Sequence, residues 1–244
     1  MIDIHSHILP MVDDGFQSIE QSLTMLKRAY QEGSDEIILT PHLAYPYGFI
    51  NPYDKINELF HDFKHIVKQE RIPIQLHLGC EFLFDSPASF IEHFDEITKI
   101  NGTQYILMEF FFDVQKEDIL AAIDTVVSHH LIPIIAHPER YESIQISNDL
   151  AYQCVQKGAL LQMNKGSVFQ QYGIYAKEAV LEMLDHHLIH FIGSDAHSLH
   201  HRNALMYDDY CFIKDNYGRE YAQEIFKINP KKMLENEDIR RITR

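Results

Sequence analysis

Met1-Ile2-Asp3-Ile4-His5-Ser6-His7 opens the chain as a short apolar strand that ends in two histidines one residue apart. Alternate residues of a strand point to one side, so His5 and His7 can aim both imidazoles at a single point, which is a metal-ligand arrangement. Asp3 would share that side and is read as orienting an imidazole, not as a ligand. Sixteen histidines in 244 residues will produce an HxH by chance. The pair therefore gains meaning only if other segments bring partners to the same place.

Outward from this stretch, the pattern repeats. Short apolar, β-branched runs fall at residues 1–5, 36–40, 72–79, 105–109, 132–136, 159–163 and 189–193. Amphipathic stretches at 19–31, 53–70, 87–94, 116–130, 149–157 and 175–186 separate them, and the chain beyond about residue 203 reads as helical and polar. Regular strand–helix alternation predicts parallel strands in an α/β fold. Seven strands, one short of the usual eight, predict a distorted seven-stranded (β/α)7 TIM-like barrel, formed by residues 1–244 as a single domain.

In such barrels the chemistry lies at the C-terminal ends of the strands. The first strand ends in His5 and His7, with Asp14 in the next loop, and the second in Thr40-Pro41-His42. The third runs into Cys80-Glu81, the fourth ends at Glu109 and the fifth in His137-Pro138-Glu139-Arg140. The sixth ends at Asn164 and the seventh in Ser194-Asp195-Ala196-His197. Six of these seven ends carry an imidazole or a carboxylate. Glu81 and Glu109 follow long apolar runs, where a carboxylate is costly unless it is paired or metal-bound. The set is five His and four carboxylates without a thiolate, more than one ion needs. It points to two or three divalent ions, of manganese, iron or zinc more than calcium or magnesium. Clustered ions sharing carboxylates can supply a bridging hydroxide and clamp a phosphoryl group. Arg140 and Arg202, from two loops expected at the barrel mouth, are candidates to grip phosphate oxygens, the alternative being surface ion pairs.

Composition narrows the class. A formal net charge of −15 argues against nucleic acid as partner. Cys80, Cys154 and Cys211 form neither a CxxC nor a C-x5-R loop, so free thiols in a reduced cytoplasm are expected and a cysteine nucleophile is not. No basic-then-apolar leader and no apolar run of about 20 residues is present, so a soluble, cytoplasmic protein without membrane insertion is expected.

The segments DIHSHILPMVDDG, TPH, CEF, MEF, HPERY and SDAH, in this order, resemble the polymerase-and-histidinol-phosphatase (PHP) superfamily of metallophosphoesterases. Within it the chain looks most like the bacterial manganese-dependent protein-tyrosine phosphatases encoded with capsule and exopolysaccharide genes. Met11, where such proteins commonly carry Gly, is a departure outside the ligand positions. The resemblance implies a trinuclear site. His5, His7, Glu81 and Asp195 would hold one ion, Glu81 with Glu109 and His137 a second, and Asp14, His42 and His197 a third, with Mn²⁺ the expected metal. It also implies Arg140 and Arg202 as phosphate ligands. The expected activity is hydrolysis of phosphotyrosine by a metal-bridging hydroxide, on a protein such as the tail of a tyrosine kinase that regulates capsule or exopolysaccharide synthesis.

Other readings stand beside it. A small-molecule phosphomonoesterase such as a histidinol-phosphate phosphatase would use the same ligands. A non-catalytic module with a vestigial site predicts missing ligands, whereas all nine are present. Tyr45, Tyr47 and Phe49 could stack on a phosphotyrosine ring or simply cover the barrel end. Phe110, Phe111 and Phe112 are expected to be packing residues, and the eleven remaining histidines surface or core residues. Residues 164–167 (NKGS) end the sixth strand, where backbone amides could approach a phosphate.

Overall fold

The computed structural model describes residues 1–147 and 149–239. Its strands are β1 Ile2–Asp3, β2 Glu36–Leu39, β3 His42–Leu43, β4 Gln75–Leu78, β5 Glu81–Leu83, β6 Tyr105–Glu109, β7 Ile132–Ala136, β8 Leu160–Asn164 and β9 Phe191–Gly193. Every pairing between them is parallel. They form a three-stranded sheet, β1-β2-β4, and a six-stranded sheet, β3-β5-β6-β7-β8-β9.

The α/β class and the parallel pairing are as expected, but the strand count is not: the seven predicted strands correspond to nine. Beyond the ends of the runs at 36–40 and 72–79 the chain forms two further short strands, β3 and β5, after a break. Pro41, which has no N–H to give to a ladder, separates β2 from β3, and Gly79-Cys80 separates β4 from β5. Backbone bonds still join the pieces across the breaks, from Gly79 N to Leu39 O (2.9 Å) and from Glu81 N to Pro41 O (3.2 Å). A similar seam joins the outer strands beyond their ends, from Asp195 N to His5 O (2.8 Å) and from His7 N to Ala196 O (3.0 Å). Gly193 lies in this seam: a Cβ there would sit 2.5 Å from His5 Cβ and 2.9 Å from Gln162 Nε2. Only glycine lets the chain pass that close.

The helices are α1 Ile19–Gln31, α2 Tyr53–Gln69, α3 Pro87–Glu92, α4 Lys116–Ser128, α5 Glu142–Ile146, α6 Asp149–Lys157, α7 Ile174–Asp185, α8 Tyr207–Tyr217, α9 Arg219–Gln223 and α10 Asn229–Leu234, with a π turn at Glu224–Ile228. Ser18 caps α1 by accepting the Gln21 N–H, as the sequence predicts. The helical C-terminal region agrees with the reading as far as residue 239; residues 240–244 lie outside the described residues. None of the described helices is long and apolar enough to cross a membrane.

Period-two alternation along β6, β7 and β8 sorts their side chains into two cores. Ile106, Met108, Ile135, Leu161 and Met163 join the helix residues Ile119, Ala122 and Ile123 between sheet and helices. Tyr105, Leu107, Ile134 and Leu160 join Ile2, Ile38 and Phe191 in a second cluster, to which α10 contributes Met233 and Leu234. Tyr105 Oη donates to Glu237 O (2.6 Å). The C-terminal segment thus covers the N-terminal ends of the strands and leaves the opposite ends to the polar groups.

Candidate active site

The strands deliver the polar residues of their C-terminal ends to one place. Glu109 continues the face of Tyr105 and Leu107 along β6. His42 begins β3 and Glu81 begins β5, and these two are register partners in a parallel pair, which sets them side by side. His5 and His7 follow β1, and Asp195 and His197 follow β9 across the seam.

At the centre, Glu81 Oε2 lies 3.2 Å from each of His5 Nε2, His7 Nε2 and His42 Nδ1, and Glu81 Oε1 lies 2.9 Å from His137 Nε2. Asp195 Oδ1 is 3.6 Å from both His5 Nε2 and His7 Nε2. On the open side, Asp14 Oδ1 approaches His42 Nε2 (3.5 Å) and His197 Nε2 (3.3 Å). Three groups have ligand atoms close enough to share an ion: His5 with His7, Glu81 and Asp195; His7 with Asp14, His42 and His197; and His42 with Glu81 and Glu109. The structure therefore brings all nine predicted residues into one constellation. The grouping differs from the expected partition in two respects: His42, not His137, stands with Glu81 and Glu109, its Nδ1 being 3.0 Å from Glu109 Oε1, and His7 also stands with Asp14, His42 and His197.

These residues fit divalent ions on three observations. His5 Nε2 and His7 Nε2 lie 3.2 Å apart with Glu81 and Asp195 against both, and four donors around a tetrahedral ion at about 2.1 Å are spaced about 3.4 Å from one another. His5 Nδ1 lies 2.8 Å from Gln162 Oε1 and His7 Nδ1 lies 2.7 Å from Asp13 Oδ2. Both oxygens can only accept, so Nδ1 donates in each ring, and in the neutral ring Nε2 is then the nitrogen that offers its lone pair to the centre. Finally, His42 Nδ1 and Glu109 Oε1 are buried and, though close, neither makes a hydrogen bond, the state expected of atoms aimed at a cation.

Burial acts to lower His5 and His7, but Glu81 and Asp195 beside His5, and Asp13 and Glu81 beside His7, overcome it and raise both above the ordinary histidine value, so the centre draws positive charge. Burial acts to raise the Glu81 carboxyl, but the imidazoles of His5 and His42 overcome it and hold it well below the usual range. Asp195 is likewise held low against burial, by His5, Arg202 and His197. Burial and the neighbouring His7 keep His197 below the ordinary histidine value, favouring its neutral, ligating form. By contrast, burial pushes the Cys80 and Cys154 thiols up to about 12, so neither is a thiolate nucleophile.

Both predicted arginines reach the site. Arg140 Nη1 donates to Asp195 Oδ2 (3.3 Å) and Arg202 Nη2 pairs with Asp195 Oδ1 (2.5 Å). A cleft of about 470 Å³ is lined by Asp14, His42, Glu81, Glu109, His137, Asp195 and His197 together with both arginines, and by Tyr47, Phe49, Phe110 and Phe112. Two residues on the ligand loops have left-handed backbones, His137 (φ 35°) and Asp195 (φ 50°), which is strain placed at the site.

Several expectations are corrected by the side-chain placement. Tyr45 is not in the cleft; it stacks on His93 (3.7 Å between ring centroids) and bonds Glu96. Phe112 is not a packing residue, being 46% exposed at the cleft wall, while Phe110 is buried. Asp3 orients no imidazole: its Oδ1 accepts from the backbone N–H of His5 (3.3 Å) and Ser194 (2.9 Å). The orienting residues, missed in the sequence, are Asp13 and Gln162. Asp13 sits in the DDG run beside Asp14, where nothing local tells the two aspartates apart; Gln162 gives no signal, being an amide inside an apolar strand. At 164–167 the contact with the site is made by the Asn164 side chain, whose Nδ2 donates to Asp195 Oδ2 (2.7 Å).

The family model for capsular polysaccharide synthesis proteins CpsB/CapC matches residues 1–235. The chain belongs to the CpsB/CapC family. Among CpsB/CapC relatives, the tyrosine-protein phosphatase CpsB of Streptococcus agalactiae serotype III (strain NEM316) is 30% identical over 241 residues, covering 97% of this chain and 99% of that protein. A solved structure from work on YwqE of Bacillus subtilis and CpsB of Streptococcus pneumoniae, described as unique metal-dependent tyrosine phosphatases, superposes with a TM-score of 0.91 at 31% identity, covering 99% of this chain and 97% of that one. A histidinol phosphate phosphatase of Lactococcus lactis, solved with zinc, L-histidinol and phosphate, shares the fold at a TM-score of 0.54 and 13% identity, covering 92% of this chain and 94% of that one. The resemblance drawn from the motifs of this CpsB/CapC chain therefore holds, at the level of the family and of the PHP-like fold.

Proposed function

We propose that the chain is a metal-dependent protein-tyrosine phosphatase, with residues 1–244 acting as one metallophosphatase domain. The observation that carries this reading is the composition of a single cleft: two guanidiniums beside a buried histidine–carboxylate constellation, under a wall of aromatic rings. On this reading His5, His7, Glu81 and Asp195 hold one ion, Glu81, Glu109 and His137 a second, and Asp14, His42 and His197 a third, with Mn²⁺ the expected metal and iron or zinc the alternatives. The contact of His42 with Glu109 supports a shared role for His42 between two of these positions. Ions there would supply a nucleophile at neutral pH and neutralise charge on the phosphoryl group.

The chain's own residues do the rest. Arg140 and Arg202 turn their donors to the equatorial phosphoryl oxygens and stabilise the charge that develops there. Tyr47 and Phe49 give the substrate ring an apolar wall, which favours an aryl over an imidazole-bearing alkyl phosphate. A phenol with a pKa near about 10 is a fair leaving group and asks little proton transfer of the protein. The two sheets are read as arcs of one distorted barrel, supported by the backbone bonds that cross both breaks and the seam. The substrate is read as a phosphotyrosine segment of a cytoplasmic tyrosine-kinase tail acting in capsule or exopolysaccharide synthesis.

The test is phosphate release from a phosphotyrosine peptide by the purified chain, first stripped with chelator and then titrated with Mn²⁺. Metal-dependent release is expected, and its absence overturns the reading. A higher kcat/KM on histidinol phosphate than on the peptide would instead select the small-molecule phosphatase.

A further inference from the structure

β6, β7 and β8 are consecutive neighbours in the larger sheet, so the loops that follow them stand side by side at the cleft. Arg140 comes from the middle loop. The loop after β6 places the Phe112 ring 4.5 Å from the Arg140 guanidinium carbon, and the segment between β8 and α7 places the Tyr172 ring 4.8 Å from it. The same guanidinium donates edge-on to Asp195. A planar cation held against two rings and tied at its edge to a carboxylate has little rotational freedom left.

We propose that Phe112 and Tyr172 are positioning residues that clamp Arg140 in the orientation needed to grip phosphate oxygens. The inference rests on the phosphatase reading for its biological meaning and on the ring–guanidinium geometry for its substance. An unclamped Arg side chain must be ordered each time an anion binds, and that ordering weakens affinity. Tyr172 also stays neutral at working pH, since burial raises its phenol to about 12, so the ring acts through its π face. Neither ring is an anion ligand itself. Their effect should therefore appear in phosphate affinity, only while Arg140 is present, and should survive exchange of one aromatic for another.

The test measures inorganic phosphate binding to the full Mn²⁺-loaded chain by calorimetry, alongside steady-state kinetics on p-nitrophenyl phosphate. Phe112→Leu and Tyr172→Leu are each expected to raise the phosphate Kd and the KM together by roughly three- to tenfold, with a smaller change in kcat. Phe112→Tyr and Tyr172→Phe should restore both values to within about twofold of wild type. In an Arg140→Ala background the leucine substitutions should have no further effect on Kd. Leucine variants indistinguishable from wild type, aromatic exchanges as damaging as leucine, or an undiminished effect without Arg140 would each overturn the clamp. Should one leucine variant fail to fold, the other carries the same test. Failure of the phosphotyrosine reading alone would leave the calorimetric result intact, because inorganic phosphate is the probe.

Discussion

Glu81 is the residue that most of the site's geometry refers to. Its two carboxylate oxygens touch four imidazoles, from residues as distant in sequence as His5 and His137. Its charge is buried and depends on those partners. Glu81→Ala and His5→Ala are each expected to lower turnover on a phosphotyrosine peptide by about 10²-fold or more; near-normal turnover in either variant would refute the ligand assignment. Asp13 makes a subtler prediction. Its carboxylate accepts hydrogen bonds from His7 Nδ1–H and from the backbone N–H groups of His42 and Gly15. Asp13→Asn keeps the size but loses the charge that fixes the tautomer, so the Mn²⁺ concentration for half-activation should rise roughly 10- to 100-fold. An unchanged metal titration would show that Asp13 does not orient a ligand. The sequence showed Glu81 clearly, as a carboxylate ending an apolar run, but it could not show Asp13 as the orienter, because two adjacent aspartates differ only in which way the loop turns them.

At the scale of elements, the broken strands and the C-terminal helices carry the account. Each break falls just before a residue of the cleft: Pro41 before His42, and Gly79-Cys80 before Glu81. The break lets the strand change direction and aim its last residues inward. Helix α8 is tied to the turn after β8 by buried Asp209, whose Oδ1 accepts the Gly166 N–H (2.8 Å). Burial raises this carboxyl from 3.8 to about 6, more than the Gly166 bond and Lys165 lower it. In the unfolded chain the same group ionises near its ordinary value. The folded chain therefore binds the proton more tightly: the contribution to stability is complete below pH about 4 and is lost as pH rises through about 6. Two units correspond to about 3 kcal/mol at most. Asp209→Asn keeps the acceptor and removes the titration. The melting temperature of the variant minus that of the wild type should rise between pH 4 and pH 7, and a constant difference would overturn the assignment.

At the scale of the whole molecule, a cluster of carboxylates at the cleft and a net charge of −15 both favour bound cations. A cation that binds only the folded chain stabilises it by about 2.7 kcal/mol at a hundred times its Kd, which in a chain of this size shifts the melting temperature by about 5 °C or more. Chelation should therefore lower the melting temperature by that amount, and Mn²⁺ should restore it; identical melting with and without chelator would argue against resident ions. The nine polar residues that gather at the cleft, the two arginines beside them and the parallel α/β class were legible in the sequence, because apolar periodicity is local and a polar residue ending an apolar run is conspicuous. The strand count was not, since only the paired structure shows a ladder interrupted at Pro41 and at Gly79-Cys80. Nor was the division of labour around the ligands. Gln162 meets His5 across 157 residues of sequence, and Tyr172, Phe112 and Arg140 meet from three different loops. The sequence by itself determined which chemistry the strand ends would carry, since residue type and spacing are written along the chain. The curl of the sheets decided which of those residues share an atom's neighbourhood, since only folding brings separate loops within contact distance.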